Sequence, residues 1–469
     1  MTKAARNRLL LERVLFTAVP LLLLIVFYAR WLFTAAPKEP LSIVMATVAT
    51  FLFALLGIRF IPQWMEAWSL GPLSPVRPID GKRSARRDLQ HPFLSIVLAL
   101  IAFRVLLFIL AYLLVLARDG YSGGVFDTLG VWNMLGSDSR HYLHIAEFGY
   151  TNTGDDRLLI VFFPLYPLLV RAFRYVFQNY FVSGLFVSNL CAVFAGYLLY
   201  EVALLDTDKR TARRTLRYLC ILPASFLFSA PLSDSLFLLL SLACVWFSRK
   251  RKYLLAGLMG MLAAFTRAPG VLLAVPMCFE LVGDIVREFP KNRHHSKWAV
   301  RVLGRVCCVL LVGAGFVCYL LLNDAVTGSP TTFLQYQSEH WHQRLGWFFA
   351  TAGTQSESLV KALASGSRET AFGLWLPNLV YTTGALALVI AAQKRLRASN
   401  VAYFIAYYLV TMGATWLLSA PRYLTACYPL ALALGQLTRK RWADLLATSL
   451  CLLGFAYYLY AFVNQWYVY

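Results

Sequence analysis

The sequence has few charged residues for its length, and acidic residues are the scarcer kind. Only 14% of its 469 residues are Asp, Glu, Lys or Arg, whereas 59% are hydrophobic, and the mean hydropathy is +0.60. Length alone would allow about three soluble domains. Soluble domains need a more charged surface, so the composition excludes them and indicates a membrane protein.

Paired cysteines of the metal-binding or redox kind are also lacking. All nine cysteines lie in or beside apolar runs, and no two of them form a CxxC pair. We interpret them as small core residues of helices.

The formal net charge is +21, but the basic residues are not concentrated in one domain. The basic residues form short clusters between apolar runs, as the positive-inside rule describes for membrane proteins. No nucleic-acid partner is therefore expected.

Apolar runs of about 20 residues recur along the chain, and each is long enough to cross a bilayer as a helix. They predict an all-α polytopic membrane protein, with one integral membrane domain over residues 1–469 and about thirteen spans. The predicted spans are residues 14–36, 41–63, 93–117, 180–204, 216–230, 231–248, 253–268, 269–285, 302–322, 372–392, 400–418, 423–437 and 443–463. The first is too long for a secretory signal and is interpreted as a retained helix.

The basic clusters set the orientation of these spans. Residues 14–64 form an N-terminal two-helix hairpin ahead of a core of residues 93–469. Residues 118–180 form the first outer loop, in which residues 158–178 are an amphipathic helix lying in the outer interface. Residues 323–371 form a second large outer loop, and the C-terminus lies outside. The clusters placed in the cytoplasm are residues 77–87, 209–217, 249–252, 287–301, 394–397 and 439–441.

Polar residues suited to chemistry collect in the outer loops and turns. They are Asp138, His141, Tyr142, His144, Glu147, Asp234, Arg267, Gln337, His340, Trp341, His342, Arg422 and Tyr423. This one-sided distribution favours a site at the outer membrane surface. A transport path at the midplane would instead place ionisable residues inside the spans.

Each of these residues also has a purely structural interpretation. Asp138 and Asp234 could cap the helices that follow them. Arg267 and Arg422 could anchor lipid headgroups, and Trp341 could belong to an interfacial aromatic belt. Together these interpretations leave the clustering on one face unexplained.

A metal site is a further alternative, because Asp138, His141 and His144 are spaced three residues apart and share a helix face. Their spacing matches no diagnostic metal-binding motif, so this alternative is the less favoured one.

A lipid-linked phosphosugar would suit the outer face, with its phosphate among the headgroups and its polyprenyl tail among the spans. Transfer of the sugar to a hydroxyl needs a base, for which Asp138 is the candidate. It also needs cations that stabilise the departing phosphate, and Arg267 and Arg422 are suited to this. Further hydrogen bonds are expected from His141, His340 and His342.

The stretch at residues 138–150, Asp-Ser-Arg-His-Tyr-Leu-His-Ile-Ala-Glu-Phe-Gly-Tyr, resembles the first luminal loop of the PIG-V family. This family comprises the mannosyltransferases that add the second mannose of glycosylphosphatidylinositol anchors, together with their bacterial relatives. The resemblance runs from about residue 93 to the C-terminus. Similar blocks follow in the expected order at residues 162–169, 231–237, 266–270, 328–337 with Trp341, and 421–423 with Pro429.

The resemblance implies a GT-C glycosyltransferase fold, a polyprenyl- or dolichyl-phosphate-mannose donor, inversion at the anomeric carbon, and no metal or other cofactor. It implies Asp138 as the base, with Arg267, Arg422 and His141 at the donor phosphate. The residues expected to contact substrate are Tyr142, Glu147, Asp234, Gln337, His340, Trp341, His342 and Tyr423. Ser137 stands where the family typically has Trp, so contacts beside the base remain open.

Two other functions stay open from the sequence. One is a transporter or flippase of lipid-linked sugars, and the other is a GT-C enzyme that transfers another sugar or a lipid phosphate group. The acceptor is expected to be a hydroxyl of a glycolipid, glycan or protein. The expected location is a bacterial plasma membrane with the site outside, or the endoplasmic reticulum membrane with a luminal site.

Overall fold

The computed structural model describes residues 3–34, 38–68, 92–120, 128–133, 138–292 and 296–468. Ser137 and the predicted cytoplasmic cluster at residues 77–87 lie outside this part of the chain. The described residues are mostly helical, and among them the one extended pairing is an isolated bridge between Leu345 and Ala414.

The helices are α1 (Lys3–Thr34), α2 (Pro40–Ala67), α3 (Phe93–Asp119), α4 (Asp138–Phe148), α5 (Leu165–Phe177), α6 (Tyr180–Leu204), α7 (Lys209–Ile221), α8 (Asp234–Arg249), α9 (Tyr253–Thr266), α10 (Ala274–Asn292), α11 (Ser296–Thr327), α12 (Thr332–His340), α13 (Phe348–Ala364), α14 (Leu376–Ala392), α15 (Ala398–Thr411), α16 (Ala420–Thr425), α17 (Pro429–Leu437) and α18 (Arg441–Val463). Shorter helical turns lie at Leu129–Asn133, Asp155–Val161, Ser225–Ser229, Ala268–Leu273, Arg368–Thr370, Ala371–Trp375 and Gln393–Arg395.

Within the described residues, eight helices are long and apolar enough to cross a bilayer, or nine if a bent pair counts as one span. They lie at Val14–Phe33, Pro40–Ala67, Phe93–Asp119, Tyr180–Leu204, Ala268–Pro290, Lys297–Thr327, Arg368–Arg395 and Arg441–Val463. The chain is therefore an integral multi-pass membrane protein, and the all-helical prediction is confirmed. The predicted count of thirteen spans is not confirmed.

The difference in count comes from short helices that an apolar pattern does not distinguish from spans. Helices α8, α15 and α17 contain 16, 14 and 9 residues. Even 16 residues extend only about 24 Å as a helix, less than the roughly 30 Å of a bilayer core. Pro223, Pro231 and Pro421 lie at the interruptions, where a proline cannot donate a backbone hydrogen bond. These short helices are largely buried among the longer ones.

The predicted interfacial helix at residues 158–178 is broken in two. The turn Asp155–Val161 and helix α5 meet at an angle of 109° around Pro164. Helix α5 is amphipathic, as predicted: Tyr166 is buried, whereas Tyr175 is 75% exposed. The Tyr166 hydroxyl lies 2.8 Å from Oγ of Ser188 on α6, so the buried face of α5 is anchored to a long helix.

Helices α9 and α11 pack closely because small residues line their interface. A Cβ atom at Gly315 would lie 1.9 Å from the carbonyl oxygen of Met261. Within a bilayer, helices associate through such close van der Waals packing. The contact fixes the position of α9, whose C-terminal end leads into one of the predicted outer turns.

The N-terminal hairpin is part of the same helical body. Helix α2 packs against α13 and α14. Nε2 of Gln63 donates to the carbonyl oxygen of Leu396 at 2.5 Å, and Nε2 of Gln393 donates to that of Arg59 at 2.7 Å. The second predicted outer loop, residues 323–371, is itself largely helical and supplies α12 and α13.

Polar side chains gather at two opposite ends of the helices. Helix α8 begins at Asp234 and ends at Arg249, about 22 Å away along its axis. Arg249 pairs with Asp206 at 2.7 Å, and Arg397 pairs with Glu280 at 2.6 Å. We call the end that carries Asp138, Asp234, Arg267 and Arg422 the site face, and the end that carries Asp206, Arg249, Glu280 and Arg397 the opposite face.

Candidate active site

Four charged side chains from separate parts of the chain form one cluster at the site face. Nη2 of Arg422 donates to Oδ2 of Asp138 at 2.5 Å, and its Nε lies 3.2 Å from Oδ2 of Asp234. Arg267 pairs with the other carboxylate oxygen of Asp234. Two carboxylates thus balance two guanidiniums, which makes their burial tolerable. We call these four residues the ion cluster.

Three members of the ion cluster lie where a helix begins or ends, and the fourth lies within a short helix. Asp138 and Asp234 are the first residues of α4 and α8, where the helix dipole favours a negative charge. Arg267 follows the last residue of α9, and Arg422 lies in the six-residue helix α16. Helix ends therefore deliver all four side chains to one face.

The turn that carries Arg267 depends on Gly270. The backbone N–H of Gly270 donates to the carbonyl oxygen of Arg267 at 2.9 Å. A Cβ atom at Gly270 would lie 2.3 Å from backbone atoms of Ala263 and Ala264, so a larger residue would displace the turn. The glycine of the Thr-Arg-Ala-Pro-Gly block is therefore required because no larger side chain fits there.

Exposure distinguishes the two carboxylates. The side chain of Asp234 is 0% exposed, whereas that of Asp138 is 31% exposed. Asp138 also lines a cavity of about 550 Å³, and Asp234 does not. Asp138 is therefore the carboxylate that a substrate can reach, and Asp234 holds the two guanidiniums from behind.

Two tyrosines complete the polar end of this cavity. The ring centroid of Tyr423 lies 4.8 Å from the Arg267 guanidinium and 5.4 Å from that of Arg422, within range of cation–π attraction. The Tyr142 hydroxyl lies 2.8 Å from Oγ of Ser233. Burial raises the pKa of Tyr142 to about 12, so its hydroxyl stays protonated at neutral pH.

The cavity joins this polar end to an apolar wall. The polar end consists of Asp138, Tyr142, Arg267, Arg422 and Tyr423. The wall includes Phe162, Phe163, Phe316, Leu320, Phe333, Leu334 and Val410. A ligand with a charged head and an apolar tail would match both parts.

The charges around Asp138 decide its protonation. Burial acts to raise the pKa of Asp138, but the charge and hydrogen bond of Arg422 outweigh it and hold the pKa below the ordinary 3.8. Burial lowers the pKa of His141 below its ordinary 6.5, against the opposing charge of Asp138. At neutral pH the site therefore presents an ionised Asp138 beside a neutral His141.

Most of the predicted site residues come together in the structure. Asp138, Tyr142, Asp234, Arg267, Arg422 and Tyr423 meet in or against the ion cluster. His141 stacks on Phe162 with ring centroids 4.9 Å apart. Gln337 and Trp341 line the cavity.

Besides His141 and Asp234, three further predicted residues do not line the cavity. Glu147, His340 and His342 are exposed and do not line it, so their substrate contacts stay predictions. His144 pairs with Asp156 at 3.1 Å. In the part of the chain that the structure describes, no group of three His, Cys, Asp or Glu side chains is arranged to hold a metal ion.

Several cavity residues were missed in the sequence. Phe163, Phe316 and Phe333 resemble any other aromatic residue of an apolar run, so they gave no separate signal. Gln343 and Arg344 also line the cavity. Their polar character within a predicted outer loop was a signal that could have identified them.

Residues 125–328 match the family model described as Mannosyltransferase (PIG-V). This segment is similar to the PIG-V mannosyltransferases. It contains Asp138, Asp234 and Arg267, whereas Arg422 and Trp341 lie beyond its end. The match agrees with the resemblance predicted from the sequence over this segment. No curated protein is similar enough in sequence to match the chain.

Two solved structures of an archaeal oligosaccharyltransferase are similar to this chain. One is AglB from Archaeoglobus fulgidus in complex with an inhibitory peptide and a dolichol-phosphate. The other is the Archaeoglobus fulgidus enzyme tethered with an acceptor peptide via a disulfide bond. Each has a TM-score of 0.38 and 12% identity over 78% of this chain, covering 56% and 55% of the solved chains respectively. The chain spans little more than half their length, and a likeness at this level defines no activity.

Proposed function

We propose that the chain is an inverting glycosyltransferase of the GT-C type. It moves a mannosyl residue from a polyprenyl-phosphate-mannose donor to a hydroxyl of a glycolipid or glycan acceptor. The observation that carries this proposal is one cavity that joins a reachable carboxylate, Asp138, to two fixed guanidiniums and an apolar wall. The PIG-V family match supports mannose as the sugar.

In the proposed reaction, Asp138 acts as the general base. The acceptor hydroxyl attacks C1 of the mannosyl group while its proton moves to the Asp138 carboxylate. The bond between C1 and the phosphate oxygen breaks, and polyprenyl phosphate leaves with the electron pair. Attack opposite the leaving group inverts the anomeric configuration.

The two arginines stabilise the leaving group. Negative charge increases on the phosphate as the bond to C1 breaks, and preorganised guanidiniums stabilise that charge. Arg267 and Arg422 are held in advance by Asp234 on one side and by the Tyr423 ring on the other. Little reorganisation is needed when the phosphate arrives.

A phosphate at Arg422 would also alter the base. Arg422 lowers the pKa of Asp138 through its charge and hydrogen bond. A phosphate that shares this guanidinium weakens its hold on the carboxylate and raises the pKa of Asp138. Donor binding would thereby make Asp138 a stronger base.

We propose that the site face lies outside the plasma membrane, or in the lumen of the endoplasmic reticulum. The predicted cytoplasmic clusters near Arg249 and Arg397 lie on the opposite face, about 22 Å away along α8. This distribution of charge supports the orientation.

Product analysis tests the proposed function. Purified full-length chain is incubated with polyprenyl-phosphate-mannose, with the corresponding glucose donor, and with a panel of glycolipid and glycan acceptors. We expect a mannosylated acceptor, detected by mass spectrometry. Movement of intact lipid-linked sugar across a vesicle membrane without any covalent product would instead establish the transporter alternative.

We propose that this transfer needs no metal ion, because two guanidiniums lie where a metal would otherwise stabilise the phosphate. The rate of mannosyl transfer is therefore expected to be unchanged in excess chelator. Activity that disappears in chelator and returns with a divalent cation would contradict this expectation.

The pH dependence follows from the lowered pKa of Asp138. The base form is present above that pKa and is lost as pH falls through it, so we expect no acid limb from Asp138 above about pH 5. Arg422→Gln removes the cation that lowers this pKa, so the limb should move to higher pH. The measurement is kcat/KM against pH for both proteins. An acid limb between about pH 5 and pH 6.5 that disappears in His141→Asn would assign the base to the histidine, whose pKa lies below its ordinary 6.5.

A further inference from the structure

A strongly basic pocket lies on the opposite face of the protein. It has a volume of about 750 Å³ and collects charged residues from α7, from the turn before α18 and from the beginning of α18. It is lined by Lys209, Arg210, Arg213, Arg214, Arg217, Arg439, Arg441 and Asp444. Seven cationic residues thus share one cavity with a single carboxylate. We call it the basic pocket.

Helix α18 shows that the basic pocket is separate from the active site. Trp132, shortly before α4, packs on Phe462 with ring centroids 5.6 Å apart, so the C-terminal end of α18 lies near the site face. Arg441 is the first residue of the same helix and Val463 is the last. The two ends are about 33 Å apart along the helix axis.

Among the described residues, Asp444 is the one carboxylate that lines the pocket, so the pocket carries an excess of positive charge. Arg217 pairs with Asp444 at 2.5 Å, and Arg214 donates to the carbonyl oxygen of Thr438. The Nε atoms of Arg214 and Arg217 are nevertheless buried without a hydrogen-bond partner. The positive-inside rule accounts for basic residues on this face, but not for their concentration around one cavity. An anionic ligand would relieve both the repulsion and the unmet hydrogen bonds.

The surroundings of the pocket favour a lipid as that ligand. Trp442, Leu445 and Leu446 occupy the first turns of α18 and are 66%, 68% and 53% exposed. Helix α18 is long and apolar enough to span a bilayer, so these side chains adjoin lipid. Tryptophan at such a helix end marks the interface between headgroups and acyl chains. A soluble anion would use only the basic side of this arrangement.

We propose that the basic pocket binds the phosphate of an anionic membrane lipid, whose acyl chains lie along the exposed face of α18. Arginine suits this ligand because its planar donor fork can bind two phosphate oxygens at once. The site would hold α7 and α18 together at the membrane surface, independently of the proposed transfer reaction.

Lipid binding to the full chain tests this proposal. The protein in neutral detergent is titrated with dioleoyl-phosphatidylglycerol, and bound lipid is counted by native mass spectrometry. The combined variant Arg210→Gln, Arg213→Gln and Arg439→Gln removes three exposed cations of the pocket. We expect its affinity for this lipid to fall by at least about tenfold, because each basic residue near an anionic headgroup contributes to binding.

The matched control removes the same charge from the same face. Lys250→Gln, Lys252→Gln and Lys394→Gln change three exposed cations that do not line the pocket, and we expect less than about a twofold loss. Dioleoyl-phosphatidylcholine should bind no better to the wild type than to the pocket variant. Unchanged thermal unfolding and unchanged transferase activity would show that both variants are folded.

Three outcomes would overturn the proposal. Equal losses in the pocket variant and the control would show a diffuse charge effect without a site. An unchanged affinity in the pocket variant would exclude the pocket as the place of binding. Saturable binding of inorganic phosphate that depends on the pocket, without binding of the lipid, would show a site for a soluble anion.

Discussion

Replacement of Asp138 by Asn lowers the rate of mannosyl transfer by about 10²- to 10⁴-fold, the usual effect of removing a positioned general base. Asn has nearly the same shape and can still accept a hydrogen bond from Arg422, but it cannot take the acceptor proton. We therefore expect the loss in kcat, with KM for the lipid-phosphate donor little changed. The measurement is steady-state transfer by purified protein.

The matched control for this variant is Asp155→Asn. Asp155 is an exposed carboxylate that does not line the cavity, so its loss should leave transfer unchanged. Thermal unfolding of both variants checks that they are folded. Full activity of Asp138→Asn in a folded protein would remove Asp138 from the proposed mechanism.

Arg422→Lys is the second change with a large expected effect. Lysine keeps the positive charge, but it cannot contact Asp138 and Asp234 together, as Nη2 and Nε of Arg422 do. Loss of one preorganised donor at a developing oxyanion commonly costs about 10²- to 10³-fold in kcat. We expect a loss of that size, measured as initial rate against donor concentration.

Arg140→Lys is the control for this arginine. Arg140 lies on α4 near Asp138, is exposed, and donates through Nε to the carbonyl oxygen of Asn133 at 3.3 Å. Its replacement should leave kcat within about twofold, since exposed polar contacts contribute little. If Arg422→Lys lowered only the yield of folded protein, with normal kcat in the folded fraction, Arg422 would have a structural role alone.

Asp234 illustrates how far sequence reasoning reached at the site. The sequence placed it in an outer turn and gave it a substrate contact. The structure buries its side chain fully and pairs it with Arg267 and Arg422, and we propose that it positions both guanidiniums. Nothing local distinguishes these roles, because Asp234 begins a helix in either case. Which of the two roles Asp234 has depends on the residues that the fold places next to its carboxylate.

The number of membrane spans could not be predicted from hydropathy. The long helix Tyr180–Leu204 has the predicted bounds, because a predominantly apolar stretch of 25 residues allows little else in a bilayer. The short helices α8, α15 and α17 are equally apolar because they are buried in protein. Hydropathy measures the removal of a residue from water and does not distinguish protein from lipid as its surroundings.

The sequence by itself determined the membrane class, most of the long helices, the PIG-V resemblance and the gathering of reactive residues on one face. These properties are local, since they depend on composition and on the order of short blocks along the chain. The tertiary structure decided which carboxylate is reachable, which arginines it meets, and which apolar residues form the cavity wall. Asp138 and Arg422 are 284 positions apart, and only the packing of the intervening helices brings their charges together.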